Sequence, residues 1–119
     1  MKIEIRQIDG IKIAEAIYDR VFINETQDAL DLMAESNYQD SWKIIVYEKN
    51  ISSAFFDLKT GLAGEILQKF STYNVQLAIV GDYSKYTSKS LKDFMLESNK
   101  YGRINFVNSI TEAIERLIK

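Results

Sequence analysis

The chain contains no cysteine, no histidine and no proline. Without cysteine there are no disulfides, no thiol nucleophile, no iron–sulfur cluster and no thiolate zinc site. Without histidine there is no Ser-His or Cys-His nucleophile pair, no imidazole base and no imidazole metal ligand. Long hydrophobic runs are missing too. Ile44-Ile45-Val46-Tyr47 and Leu77-Ala78-Ile79-Val80 are strand-sized, far short of the roughly 20 residues that span a bilayer. Neither sign of charge dominates: 15 Lys+Arg against 17 Asp+Glu give a net −2, so no bulk attraction to nucleic acid or to an anionic membrane is expected. The opening Met1-Lys2-Ile3-Glu4-Ile5-Arg6 alternates charged and apolar residues and has no apolar targeting core, so a cytoplasmic location is expected.

What is present suits one globular core. The 119 residues are 46% hydrophobic, the usual size of a single domain. No Gly/Ser tract, charge block or fixed-period repeat divides them, so residues 1–119 read as one domain.

Lys2 to Gln7 alternates with Ile3 and Ile5 on one face, which predicts a half-buried strand. Asp9-Gly10 is a two-residue hairpin turn, because glycine accepts the positive φ that a type I′ turn requires. Ile11 to Ala16 returns as the second strand. A helix follows, capped by Asn24 or Thr26, with Ala29, Leu30, Met33 and Ala34 at helical spacing. Lys43–Tyr47 and Gln76–Val80 are continuous apolar runs, the pattern of strands covered on both faces. Between them lie a loop, Glu48 to Asp57, and a helix from Leu58 to about Ser71 with Leu62, Ile66, Leu67 and Phe70 inward. In that helix Gly61 and Gly64 are expected to face the sheet. Ser88 to about Lys100 is a further helix with Leu91, Phe94, Met95 and Ser98 inward, and Gly102 suits its C-terminal left-handed position. Ile104 to Val107 is a last strand. Ser109-Ile110-Thr111-Glu112 is a capping box opening a final helix. The order ββαβαβαβα predicts an α/β fold: a mixed sheet of about five strands whose N-terminal hairpin supplies the antiparallel pair.

Two segments could carry chemistry. In Asp57-Leu58-Lys59-Thr60-Gly61-Leu62 the chain reaches a helix N-terminus, where free N–H groups attract anions, including a phosphate added to Thr60 or Ser53. The same residues read structurally are a helix cap and two glycines for close packing. No phosphate-binding Gly-x-x-x-x-Gly-Lys-[Ser/Thr] pattern is present. Gly81-Asp82-Tyr83-Ser84-Lys85-Tyr86 follows a buried strand, at the edge of an α/β sheet where ligands bind. Asp82, Tyr83, Lys85 and Tyr86 are its ligand-binding candidates; the structural alternative is a solvated loop. Tyrosines interleaved with Lys89, Lys92, Lys100 and Arg103 could stack on single-stranded nucleic acid, but the acidic balance argues against it. Carboxylates are the only hard metal ligands, and Glu25, Asp28 and Asp31 do not converge, so no metal and no cofactor are expected. Tyr18, Phe22, Trp42, Phe55, Phe56 and Phe106 are expected in the core or at its margin.

The run Phe55-Phe56-Asp57-Leu58-Lys59-Thr60-Gly61-Leu62-Ala63-Gly64-Glu65-Ile66 resembles the bacterial family catalogued as domain of unknown function 4180. Gln27-Asp28-Ala29-Leu30-Asp31-Leu32, Leu77-Ala78-Ile79-Val80-Gly81-Asp82-Tyr83 and Tyr86-Thr87-Ser88-Lys89-Ser90-Leu91 extend the resemblance over almost the whole chain. That family implies no activity. More distantly, the element order is similar to that of STAS domains, the anti-sigma-factor-antagonist type of regulator. Their Asp-Ser-Ser/Thr-Gly-Leu turn is phosphorylated on the hydroxyl before the glycine. Thr60-Gly61-Leu62 lies on that motif and Asp57 on its acidic residue, with one residue more between them here.

Two functions follow as expectations. The first is a non-enzymatic, STAS-like regulatory module that meets a protein partner through Ser53–Glu65, with Ser53, Asp57 and Thr60 as contact or phosphoswitch residues and no catalytic residue. The second is a small-ligand-binding domain or weak enzyme, with a pocket at the carboxyl ends of the central strands that unites Asp57 or Thr60 with Asp82 and Tyr83.

Overall fold

The structure is a computed structural model that describes all 119 residues. Five strands form one sheet in the order β1-β2-β3-β4-β5: Lys2–Ile8, Ile11–Ile17, Lys43–Tyr47, Gln76–Val80 and Ile104–Val107. The β1–β2 pair is antiparallel and the others are parallel. Asp9 (φ 52°) and Gly10 (φ 78°) make the left-handed pair of a type I′ turn. The helices are α1 (Thr26–Tyr38), α2 (Leu62–Thr72), α3 (Lys89–Tyr101) and α4 (Ile110–Leu117). No helix is long and apolar enough to cross a membrane.

Because the strands march across the sheet in chain order, right-handed crossovers carry α1, α2 and α3 to the same face. The large core lies there: Leu32 and Met33 of α1, Ile66 and Phe70 of α2 and Leu91 of α3 pack on Ala16, Ile44, Val46, Leu77, Ile79 and Ile104. The other face has one helix. Ala113 and Leu117 of α4 cover Ile13, Ile45, Ala78 and Val107. Beyond the reach of α4 that face turns polar. Arg6 Nε donates to Glu15 Oε1 at 2.8 Å and the Tyr47 hydroxyl donates to Glu15 Oε2 at 2.6 Å. Burial, then this bond, pushes the Tyr47 phenol up to about 12.

Five expectations are corrected. The α1 stripe is Ala29, Leu32, Met33 and Ser36, with Ala34 exposed and Leu30 half-buried. Asp28 fixes this phase by accepting from the N–H groups of Asn24 and Glu25, so the helix starts at Thr26. Leu58–Thr60 is a 3₁₀ turn, and α2 begins only at Leu62, because Gly61 (φ 78°) is left-handed. Gly64 is exposed, with nothing within 4 Å of where a β-carbon would lie, so neither it nor Gly61 packs on the sheet. Trp42 stands 47% exposed just before β3, outside the core. At α4, Ser109 Oγ accepts from Glu112 N at 3.1 Å as expected, but the Glu112 carboxylate reaches Asn108 N rather than Ser109 N.

Candidate functional site

All three parallel connections leave the sheet at one edge, and the β2–α1, β3–α2 and β4–α3 segments meet there. Asn50, fully buried, ties the first two together. Its side chain accepts from Tyr47 N at 3.0 Å and donates to the carbonyls of Tyr18 and Arg20 at 3.1 and 3.0 Å. Its own carbonyl accepts from Phe22 N and Ile23 N. A buried amide this fully bonded fixes the path of both segments, since each lost partner would leave a desolvated polar group. The chain then runs through two 3₁₀ turns, Ser53–Phe56 and Leu58–Thr60. The Thr60 hydroxyl staples them: it lies 2.6 Å from the Ala54 carbonyl and 2.9 Å from that of Asp57, and accepts from Leu62 N at 3.3 Å. Asp57 caps the second turn by accepting from Lys59 N.

The β4–α3 segment approaches at Gly81. A β-carbon placed there would lie 2.6 Å from Glu48 Cβ and 2.7 Å from Glu48 Oε1, so only glycine lets the two strand exits come this close. The Glu48 side chain is 12% exposed and carries the site's polar centre. Its Oε2 accepts from the Tyr86 hydroxyl at 2.5 Å and from Lys85 Nζ at 2.7 Å. The Tyr86 ring stacks on Phe56, centroids 4.9 Å apart and planes 18° from parallel. Burial, then the bond to Glu48, pushes the Tyr86 phenol well above its ordinary value. It therefore serves as a hydrogen-bond donor near neutral pH. Together these groups enclose an open cavity of about 420 Å³. Ile51, Phe56 and Val21 supply apolar surface, Glu48, Lys49, Lys85 and Tyr86 the polar wall, and Ser53 part of the rim.

Of the residues singled out from sequence, Ser53, Lys85 and Tyr86 line this cavity. Asp57 and Thr60 are exposed on the outer side of the 3₁₀ turns and do not line it. Asp82 is exposed too, and its Oδ1 accepts from Ser84 N at 3.0 Å and Ser84 Oγ at 2.7 Å. Those bonds hold its carboxyl below the usual range. Tyr83 turns inward: its hydroxyl donates to the Ile79 carbonyl at 2.5 Å and its ring meets Phe106 edge-on. Burial raises its phenol as well. It lines a separate cavity of about 370 Å³ beside α3, with Lys92, Met95 and Phe106. The four residues expected at one mouth thus do not meet. No local pattern singles out Glu48 or Asn50, because the Tyr86 hydroxyl and the Tyr18 and Arg20 carbonyls that they bind lie 30 to 38 residues away. A hint existed in Gly81, a glycine at a strand end.

No three carboxylates stand close enough together to hold a metal ion. The arrangement can bind a small polar molecule by ion pairing, hydrogen bonding and ring contact. No curated protein and no solved structure matches the chain. A family model does match, over residues 8–117, which takes in every element from the hairpin turn to α4. The chain belongs to the family described as "Domain of unknown function (DUF4180)".

Proposed function

We propose that the chain is a small-ligand-binding domain that uses the cavity at the carboxyl edge of β3 and β4. One observation carries this reading: Glu48, Lys49, Lys85 and Tyr86 converge on an apolar floor made by Ile51 and Phe56. Pockets that bind metabolites combine an apolar lining with a few convergent polar groups, and open α/β sheets place them at this edge. Two ammonium groups against one carboxylate leave the wall net positive, which favours a small organic anion. Its charge would meet Lys49, since Lys85 is already held by Glu48, and its apolar body would lie on Phe56. The test is a thermal-shift screen of small anions. A ligand at a hundredfold its Kd adds about 2.7 kcal/mol, and this gain should vanish in both Lys49→Ala and Tyr86→Phe. A screen with no stabilising anion, or a gain that survives both substitutions, refutes the reading.

A second reading, the STAS-like partner module, is favoured by Thr60. Thr60 is exposed just before α2, and Gly64 leaves one exposed position of that helix's first turn without a side chain. A phosphate on Thr60 would sit near free N–H groups and would remove the hydroxyl proton that bonds the Ala54 carbonyl. Thr60→Glu should then release a protein partner that Thr60→Ala retains. Equal behaviour of the two variants in pull-down removes this reading.

A further inference from the structure

The two edges of the sheet are built differently. At β5 the free edge is closed by α3. Ser98 Oγ donates to the Ile104 carbonyl at 2.5 Å, and the Asn99 amide exchanges bonds with Phe106, accepting from its N–H at 2.7 Å and donating to its carbonyl at 3.1 Å. At β1 nothing does the same. Ile8 and Ile11 close a two-residue hairpin and form its first hydrogen-bonded pair, so the pairs alternate from there. Ile3, Ile5 and Gln7 fall in the non-bonded pairs, with their N–H and C=O groups pointing away from β2. The same alternation puts Lys12, opposite Gln7, with its carbonyl toward β3, where it accepts from Ser41 Oγ. The edge is seven residues long, has no proline and keeps an unbroken register with β2. It therefore lacks the bulge, proline or covering element that usually blocks strand addition.

We propose that β1 pairs antiparallel with β1 of a second copy of this chain, across a two-fold axis at Ile5, to form a continuous ten-stranded sheet. The register follows from two independent counts. Hydrogen-bonded pairs must join outward-facing residues, and only the pairing centred on Ile5 uses all three: Ile5 with the partner's Ile5, Ile3 with the partner's Gln7, and the reverse. In that register Glu4 stands opposite the partner's Arg6. Centring on Glu4 instead would oppose Glu4 to itself and Lys2 to the partner's Arg6; centring on Arg6 would oppose Arg6 to itself. Like charges directly opposite are unfavourable, so hydrogen bonding and charge select the same alignment.

Glu4 also gains from this pairing, since its one ion pair within the chain is to the exposed Lys2, at 3.3 Å. Within its own chain it stands opposite Glu15. Glu15 takes Arg6 through Nε and Nη2, at 2.8 and 2.7 Å, which leaves Nη1 of the half-exposed Arg6 free for the partner's Glu4. On the other face Ile3 and Ile5, both half-buried, gain cover from the partner's Gln7 and Ile5.

The experiment is sedimentation velocity in the hundred-micromolar range, because edge pairings are small interfaces and bind weakly. The native chain should sediment as a dimer. Ile5→Pro deletes an outward N–H without touching the β1–β2 bonds and should give a folded monomer by circular dichroism. Glu4→Lys sets an ammonium group against the partner's Arg6 at two symmetric places and should raise the dimer Kd about tenfold. As the chain has no cysteine, Ile5→Cys should cross-link to itself under mild oxidation while Gln7→Cys should not. A native monomer at this concentration overturns the proposal. So does a folded Glu4→Lys variant that dimerises with native affinity. If Ile5→Pro fails to fold, Glu4→Lys and the cysteine pair decide.

Discussion

Gly81→Ala is the sharpest probe of the carboxyl edge, because one methyl group tests the contact that assembles it. The new β-carbon would fall 2.6 Å from Glu48 Cβ, 2.7 Å from its Oε1 and 3.3 Å from its Cδ. The carboxylate could swing aside, but Glu48 Cβ cannot, since it is fixed to backbone at the end of β3. Either β3 and β4 separate locally or the Glu48 turn shifts outward. Forced overpacking of this kind costs about 1–3 kcal/mol. For 119 residues the unfolding entropy near the midpoint is about 0.25 kcal/mol/K, so Tm should fall by about 4–12 °C in differential scanning calorimetry. The displaced carboxylate would also lose Tyr86 and Lys85. Glu48→Gly removes the atom that clashes, so the double variant Gly81→Ala/Glu48→Gly should lose less than the sum of the two single losses, by about 1 kcal/mol or more. Native stability in Gly81→Ala, or strict additivity in the cycle, would show that the two strand exits are not held together by this contact.

Gly64→Ala should have the opposite sign. The position is helical, exposed and free of neighbours, so alanine should stabilise by about 0.5–1 kcal/mol, read from urea unfolding. Ser109→Ala removes the hydroxyl that accepts from Glu112 N and should cost about 1 kcal/mol by the same measurement. Tyr47→Phe leaves Glu15 Oε2 without its donor and should cost about 1–2 kcal/mol near neutral pH. In the native chain the folded Tyr47 phenol is raised to about 12, whereas an unfolded one ionises near its ordinary value of 10.0. The folded state thus holds the proton more tightly, and its advantage is complete below pH 10 and lost as pH rises toward 12. Tyr47→Phe should flatten that alkaline decline; an unchanged slope would assign it wholly to Tyr83 and Tyr86.

Where the sequence reading succeeded, the cause was local. Asp9-Gly10 sets its own turn, the Ile44–Val46 and Leu77–Ile79 runs can only be covered strands, and Ser109 caps the residue three places on. These features depend on neighbours a few residues away, and all appear in the fold. Where it failed, the cause was either a short-range bond that no pattern announces or, for Glu48, a distant partner. Asp28 recruits two N–H groups upstream and shifts α1 so that Leu32, not Ala34, faces inward. Gly61 looked like a packing glycine but provides a positive φ that ends a 3₁₀ turn and starts α2. Asp82 and Tyr83 sit at the right edge of the sheet, yet one bonds its own loop and the other the β4 backbone. Glu48 shows no motif at all. Its importance comes from Lys85 and Tyr86, which only the fold brings to it.

The cavity and the open edge lie on different sides of the sheet, and this separates their consequences. The cavity belongs to the exits of β3 and β4, with Val21 arriving from the exit of β2. The proposed pairing uses β1, which is divided from β3 by the full width of β2. A second copy at β1 therefore leaves Glu48, Lys85 and Tyr86 open to solvent and to ligand. The one covalent path between them runs through β2 to Tyr18 and Arg20, whose carbonyls the buried Asn50 holds. Asn50 is bonded to β2's exit and to Tyr47 at once, so it clamps that path. Ligand affinity should accordingly be the same in native dimer and Ile5→Pro monomer, and Asn50→Ala should weaken binding in both. Isothermal titration of the two forms with one anion checks this. An affinity that changes on dimer loss would mean that the Asn50 clamp transmits movement of β2 rather than blocking it.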